Sequence, residues 1–252
     1  MSPRTLSPLF FALLACAPAA SASARDSAAQ SASATRGDFS WSGTVKKGGE
    51  VRLANVSGDV EVVQGRGDAV RVEATISGRD ADSATVLVEE GAGEVKIRTK
   101  LARKRKRNAD VRVDYRIEIP AGVDFEADVV SGNIDAKGIS GALDLEAVSG
   151  NIEASGSGDV RVATVSGDAS VSLPKGTRRA MLEAVSGRLE ISVPPSLGLD
   201  LAATSLSGGI DADVKHERTQ QLVGSAVRIS RGDRGATVRM ETVSGRIRIR
   251  KG

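Results

Sequence analysis

Acidic side chains recur at alternate positions in the second half of the chain, and a pair of carboxylates could hydrolyse a glycosidic bond. The candidates are Asp135, Asp144, Glu146, Glu153, Glu183 and Glu190. Each of these acids lies between two apolar residues, and such alternation is typical of strands with one solvated face. Aromatic platforms for sugars are scarce, since aromatic residues make up only 2% of the chain. We therefore interpret the acids as a solvated face and assign no catalytic residue.

Nucleophilic catalysis and metal binding are limited by residue counts. The chain has one His and one Cys, which excludes a Cys/His metal cluster and an internal disulfide. Ser–His catalysis would have to use His216, which lies in a polar stretch and is expected at the surface. The Ser-Gly-Asp and Ser-Gly-Asn turns lack the G-G-x-G-x-D-x-U-x repeat of calcium-binding β-rolls. We predict no metal site and no cofactor.

A cluster of positive charge could bind an anionic surface. It consists of Lys100, Arg103, Lys104, Arg105, Lys106 and Arg107. The run lies between two predicted strands and is expected to form a hairpin loop, and one interpretation is a merely solvated loop. The other is contact with anionic lipid, lipopolysaccharide or an acidic glycan, at about 1 kcal/mol per charge near a membrane. Nucleic acid is disfavoured by the expected export, by the few stacking aromatics and by a net charge of only +3.

The first 24 residues have the features of an export signal. Arg4 precedes an apolar stretch, Leu6 to Ala15, that has the length of a signal h-region and is too short to span a bilayer. Small residues at 20–24 provide two A-x-A cleavage sites. Alternatively, Leu13-Leu14-Ala15-Cys16 resembles a bacterial lipobox, with a lipoprotein signal at 1–15 and lipid on Cys16. Both interpretations predict an exported protein, located in the periplasm, lipid-anchored in the outer membrane or on the cell surface.

The elements that must position these groups are organised by a repeated tripeptide. Val-Ser-Gly occurs six times after the leader and Leu-Ser-Gly once. Their glycines are Gly58, Gly132, Gly150, Gly167, Gly187, Gly208 and Gly245. From Gly132 onwards they are separated by 18, 17, 20, 21 and 37 residues, and the last gap is close to two ordinary steps. A period near 20 is typical of one small unit stacked on itself.

One repeat unit spans residues 141–158. Leu143, Leu145 and Ala147 alternate with acids, which predicts a strand with one apolar face. A second alternation follows the turn at Ser149-Gly150. Glycine there predicts a corner that needs positive φ or close backbone approach. Val148 is interpreted as breaking the alternation, so the Val before each Ser-Gly is expected to fill the corner from inside.

Strands this short are not stable alone, and stacking them buries one continuous apolar column. The predicted fold is therefore all-β, a β-solenoid over residues 122–252, with an antiparallel β-sandwich as the alternative. Residues 39–121 are predicted to form an N-terminal β cap, and residues 25–38 a disordered tether. The alternating charges Arg246, Arg248 and Arg250 are expected to protect the edge of a last, open strand.

These features together resemble the bacterial DUF4097 family, whose members are also called putative adhesins. The resemblance is carried by Val-Asp-Tyr-Arg-Ile-Glu-Ile-Pro-Ala-Gly at residues 113–122, by Val-Val-Ser-Gly-Asn-Ile at 129–134 and by the later Ser-Gly units. It covers roughly residues 45–252. It implies an exported or envelope-associated domain of β-helical character, and it supplies no catalytic residues.

The sequence thus predicts an exported envelope protein that acts without catalysis as an adhesin-like binding or scaffolding surface. Its expected partner is an envelope component, such as anionic lipid, lipopolysaccharide or a glycan. The alternative is a carbohydrate-active enzyme, a polysaccharide lyase or hydrolase, built on the same frame.

Overall fold

The computed structural model describes residues 31–34, 37–102, 110–213, 217–220, 224–232 and 235–252. The predicted leader with Cys16, the basic residues Arg103–Arg107 and the single His216 lie outside the described residues. The predictions made for them are therefore not addressed by the fold. Lys100 is described and lies near the end of a strand, with its side chain exposed.

The described residues form short strands and one 3-10 turn, Ala81–Ser83. In chain order the strands are β1 (Ser31–Ala34), β2 (Gly37–Thr44), β3 (Glu50–Ser57), β4 (Val60–Gln64), β5 (Ala69–Ser77), β6 (Ala84–Glu90), β7 (Glu94–Leu101), β8 (Arg112–Ile119), β9 (Asp124–Ser131), β10 (Ile134–Ile139), β11 (Leu143–Ser149), β12 (Ile152–Gly156), β13 (Val160–Ser166), β14 (Ala169–Ser172), β15 (Arg179–Val193), β16 (Leu199–Ser207), β17 (Ile210–Ala212), β18 (Glu217–Gln220), β19 (Ser225–Arg231) and β20 (Ala236–Lys251). Two of them, β15 and β20, run through their Ser-Gly corner without interruption.

Each repeat unit contributes one rung of a parallel column. The strands before the corners form a first sheet in the order β3, β9, β11, β13, β15, β20, β16. The strands after the corners form a second sheet in the order β4, β10, β12, β14, β15, β20, β17. The corner serines are in register along the stack, as Ser149 pairs with both Ser131 and Ser166. The predicted β-solenoid is confirmed, and the antiparallel sandwich is wrong because the rungs pair in parallel.

The order of the rungs departs from the order of the chain. The last strand, β20, lies between β15 and β16, so that Ser244 pairs with Ser186 on one side and Ser207 on the other. The long gap between Gly208 and Gly245 is occupied partly by β18 and β19, which extend the first sheet antiparallel beyond β16. The expectation that Arg246, Arg248 and Arg250 protect an open edge is therefore wrong, because β20 has a neighbour on both sides.

A further rung stands at the N-terminal end of the column. β7 pairs in parallel with β3, and β8 pairs in parallel with β4. Antiparallel strands then extend both sheets, β6 and β1 beyond β7, and β5 and β2 beyond β8. Among the described residues β7 and β8 pair with other strands and not with each other, so the predicted hairpin around the basic run is wrong. β7 belongs to the first sheet and β8 to the second.

The interior of the column is filled by aliphatic side chains from both sheets. In β11, Leu143, Leu145 and Ala147 are buried, as the alternation predicts. Phe125 and Tyr115 are buried near the N-terminal end of the stack. Because every rung repeats the same inward pattern, the buried rows are continuous along the column. The rigid frame leaves the outward rows and the corners to carry function.

Candidate binding surface

A row of exposed aliphatic side chains runs along the corner of the column. It consists of Val56, Val130, Val148, Val165, Val185, Leu206 and Val243, and we call it the apolar ladder. Their exposed fractions lie between 37% and 54%, and they are the large exposed hydrophobic residues of the described chain. The expectation that Val fills the corner from inside is wrong. β11 continues to Ser149, so Val148 keeps the outward parity of Glu146.

The corner behind the ladder is closed by direct backbone contact between rungs. A Cβ atom built on Gly150 would lie 2.0 Å from the carbonyl oxygen of Gly132, and Gly150 has φ of +139°. Both features exclude an L side chain. The same carbonyl approach, at 1.8–2.0 Å, recurs at the other predicted corners, Gly58, Gly132, Gly167, Gly187, Gly208 and Gly245. This packing keeps the corner narrow and fixes the spacing of the ladder.

At the corners of Gly58, Gly132, Gly150 and Gly167, the side chain of the residue after the glycine links neighbouring rungs. The backbone N–H of Asn133 donates to Asp59 Oδ1 at 2.9 Å, and that of Asn151 donates to Asn133 Oδ1 at 3.0 Å. The series continues from Asp168 N to Asn151 Oδ1 and ends with Arg188 N on Asp168 Oδ1. Asp and Asn were predicted here as turn formers. Their main contact is instead a hydrogen bond between rungs, which the recurrence of Asp or Asn at a fixed position could have indicated.

At the N-terminal end the corner is sealed by a buried polar network. Thr99 Oγ1 donates to Asn55 Oδ1 at 2.9 Å and lies 2.6 Å from the Tyr115 hydroxyl. Because Thr99 has a single hydroxyl proton, Tyr115 must be the donor in the second bond. Asn55 Nδ2 donates in turn to the carbonyl of Val113 at 2.9 Å. Burial raises the pKa of Tyr115 to about 12.

A shallow groove of about 660 Å³ lies beside the apolar ladder on the first sheet. Its far side carries the outward carboxylates Asp128, Glu146, Glu183 and Glu241. Beyond the two ends of the ladder, the two outward rows nearest to it carry Lys96 and Arg98 on β7 and Arg228 on β19. Within the seven rungs of the ladder, these rows hold six carboxylates, the four just named with Glu126 and Asp144, against three arginines, Arg52, Arg161 and Arg239. Six acids less three bases leave an excess of three negative charges beside the ladder.

The arginines share these carboxylates. Arg161 lies 2.9 Å from Glu146, 3.3 Å from Asp144 and 3.7 Å from Glu183. Arg239 contacts Glu241 at 2.6 Å. Burial raises the pKa of Glu126, and the neighbouring Asp128 and Asp144 act in the same direction while Arg52 opposes them. The negative potential beside the ladder is therefore reduced by the arginines without being cancelled.

The structure divides the predicted acidic residues between two faces. Asp144, Glu146 and Glu183 lie on the first sheet, and Asp135, Glu153 and Glu190 on the second. Several are paired with cations within their own face, as Asp135 is with Lys137 and Glu190 with Arg250 at 2.9 Å. Within the described ranges no group of three or more His, Cys, Asp or Glu side chains is arranged to hold a metal ion.

The sequence matches the model of a known protein family. A family model described as Toastrack DUF4097 matches residues 82–250, which is more than half of the chain. The chain belongs to the Toastrack DUF4097 family. The predicted resemblance is thereby confirmed. No curated protein is significantly similar to this Toastrack chain.

Solved structures are similar to this Toastrack chain to different degrees. A "putative cell adhesion protein" from Clostridium sporogenes ATCC 15579 is similar with a TM-score of 0.55 and 12% sequence identity, over 85% of this chain and 100% of that one. A "putative adhesin" from Bacteroides fragilis NCTC 9343 matches with a TM-score of 0.31 and 12% identity, over 85% of this chain and 97% of that one. At this identity the first likeness concerns the fold alone. In the part of the Toastrack chain that the structure describes, no helix has the length and hydropathy to cross a membrane.

Proposed function

We propose that this Toastrack chain is exported and acts in the cell envelope as a non-enzymatic binding surface. The observation that carries the proposal is the apolar ladder. Large aliphatic side chains exposed in one continuous row are uncommon on a soluble surface and mark interaction sites. The leader at residues 1–24 supports export, because its charged start, short apolar stretch and small-residue sites are those of a signal peptide.

An enzymatic function receives less support from the geometry. Glycoside hydrolysis needs two carboxylates that flank one bond at a defined separation. The predicted acids of the described chain are divided between two outward faces, and those on the first sheet share Arg161. The surface is better suited to holding a partner than to transforming one.

The binding role is tested by removing the apolar character of the ladder. Val148→Thr, Val165→Thr and Val185→Thr together keep the β-branched shape and the strand propensity. The matched control is Glu153→Thr, Ser170→Thr and Ser172→Thr on the second sheet. We expect the ladder variant, but not the control, to lose binding to isolated envelope fractions in a sedimentation assay. Equal sedimentation of the wild-type protein and the ladder variant would refute the proposal.

Membrane attachment is proposed to occur through Cys16. Residues 17–30, which lie between Cys16 and β1, would connect a lipidated Cys16 to the column and hold it away from the bilayer. Metabolic labelling with a radioactive fatty acid tests this directly. We expect label on the wild-type protein and none on Cys16→Ser. An unlabelled wild-type protein that is still exported would assign the leader to ordinary cleavage at the A-x-A sites.

The basic run is proposed as a second, electrostatic contact with an anionic envelope component. Its residues are Lys100, Arg103, Lys104, Arg105, Lys106 and Arg107. Changing the five residues from 103 to 107 to Gln should reduce sedimentation with vesicles that contain anionic lipid, most strongly at low salt. Unchanged sedimentation would exclude this contact and leave the role of the apolar ladder unaffected.

A further inference from the structure

The apolar ladder has a defined length and period. Its seven side chains occupy seven successive rungs, and rungs in a sheet are about 4.8 Å apart, so the ladder is about 29 Å long. An occupant that contacts every rung must present apolar groups at nearly the same interval. The period of the ladder therefore discriminates between kinds of partner.

An α-helix matches this period better than an extended strand does. The apolar stripe of a helix repeats once per turn, about every 5.4 Å, whereas side chains on one face of a strand repeat about every 6.6 Å. Over six steps the mismatch with the ladder grows to about 4 Å for the helix and about 11 Å for the strand. A helix of about 20 residues has the length of the whole ladder.

The charges beside the ladder indicate which charge a bound helix would carry. The excess of three negative charges lies on one side of the ladder, in the rows that contain Asp128, Glu146, Glu183 and Glu241. The other side is formed by the corner serines, which carry no charge. Basic residues along one flank of an apolar stripe would face these carboxylates, and anionic headgroups would be repelled by them.

A second copy of the chain shares the 4.8 Å period but fits the surface less well. Each copy would bring the same excess of carboxylates to the contact.

We infer that the apolar ladder and its acidic flank form a docking site for a cationic amphipathic α-helix of a partner protein or peptide. This inference rests on the proposed binding function and specifies the partner's chemistry. The helix lies along the column axis, with its apolar stripe on Val148, Val165 and Val185 and its Lys or Arg side chains toward Glu146 and Glu183.

The test uses two synthetic helices of 20 residues with the same leucine stripe, one flanked by Lys and the other by Glu. Fluorescence anisotropy measures their binding to the mature chain. We expect the Lys peptide to bind, and the Val148→Thr, Val165→Thr, Val185→Thr variant to bind it about tenfold more weakly or worse. The control on the second sheet, Glu153→Thr, Ser170→Thr and Ser172→Thr, should bind as the wild type does.

The acidic flank is tested separately with Asp128→Asn and Glu183→Gln combined. We expect weaker binding of the Lys peptide and a smaller dependence on salt. Equal affinity for the Lys and Glu peptides, or an unchanged affinity of the ladder variant, would overturn the inference. So would light scattering that shows a dimer abolished by the ladder variant, or sedimentation with lipid vesicles that needs the ladder while neither peptide binds.

The peptide experiment and the envelope experiment test the helical partner and the proposed function separately. If the ladder is needed for binding to envelope fractions but the Lys peptide does not bind, the proposed function stands and the helical partner is rejected. If the ladder variant binds envelope fractions as the wild type does, the proposed function itself is rejected.

Discussion

Asn151 Oδ1 accepts the backbone N–H of Asp168 at 3.0 Å, across the boundary between two rungs. The backbone N–H of Asn151 itself donates to Asn133 Oδ1 at the same distance. Each member of the series is thus a donor to one neighbour and an acceptor for the other. The backbone N–H after the corner turn obtains its partner from a side chain. The series therefore connects neighbouring rungs at the corner, beside the apolar ladder.

Replacing Asn151 by Ala removes this acceptor. Since the released N–H of Asp168 lies at an exposed residue and can bind water, we expect a loss of about 1 kcal/mol in the free energy of unfolding. Urea denaturation followed by circular dichroism measures the loss. Glu153→Ala, on β12 directly after Asn151 and with an exposed side chain, is the control and should change stability by less than about 0.5 kcal/mol. Equal effects of the two changes would show that the inter-rung bond contributes nothing.

Gly150→Ala is expected to be far more damaging. The added methyl group would lie 2.0 Å from the Gly132 carbonyl oxygen and would adopt an unfavourable φ of +139°. Because the obstacle is backbone within a stack, relief requires the rungs to separate, and we expect a loss of about 3 kcal/mol or more. The same denaturation assay applies. Gly67→Ala is the matched control, since no atom lies within 4 Å of its added Cβ. A stable, fully folded Gly150→Ala protein would contradict the close stacking of corners.

Because Tyr115 is buried, we expect the folded protein to lose stability at alkaline pH. Its pKa is about 12 in the folded chain and about 10 when unfolded, so the unfolded state releases its proton first. The stability contribution of Tyr115 is complete below pH 10 and falls as pH rises from about 10 to about 12, by up to about 3 kcal/mol. Denaturation at a series of pH values measures this slope. Tyr115→Phe should remove that part of the pH dependence, and an identical slope in the variant would disprove the assignment.

The stacked strands of the column can be predicted from the sequence, because each rung contains its own alternating strand and corner glycine. The strand at Leu143, Leu145 and Ala147 and the corner at Gly150 follow from alternation and from glycine. The predicted inward direction of Val148 is wrong, because the prediction ends the alternation at Ala147. The strand in fact extends to Ser149, and simple continuation of the parity would have placed Val148 outward.

The order of the rungs could not be predicted. Ser186, Ser207 and Ser244 lie in the same tripeptide context, so any of these rungs can pair with any other in the same register. Repeated sequence therefore specifies how two rungs stack without specifying which two are neighbours. The choice depends on the connection that contains β18 and β19, whose length alone does not reveal where the chain returns. For the same reason, the sequence does not predict which rungs make up the full length of the apolar ladder.

The central structural claim is that the ladder is one outward row in which Val243 stands between Val185 and Leu206. Cysteine pairs at these positions, in a chain without its leader and its native Cys16, can be joined by a short bifunctional thiol reagent and identified by mass spectrometry. The account predicts efficient cross-linking of Val185→Cys with Val243→Cys and of Val243→Cys with Leu206→Cys, and little between Val185→Cys and Leu206→Cys. Thiols that do not react, or preferential linkage of positions 185 and 206, would contradict the exposed ladder and the inserted last strand.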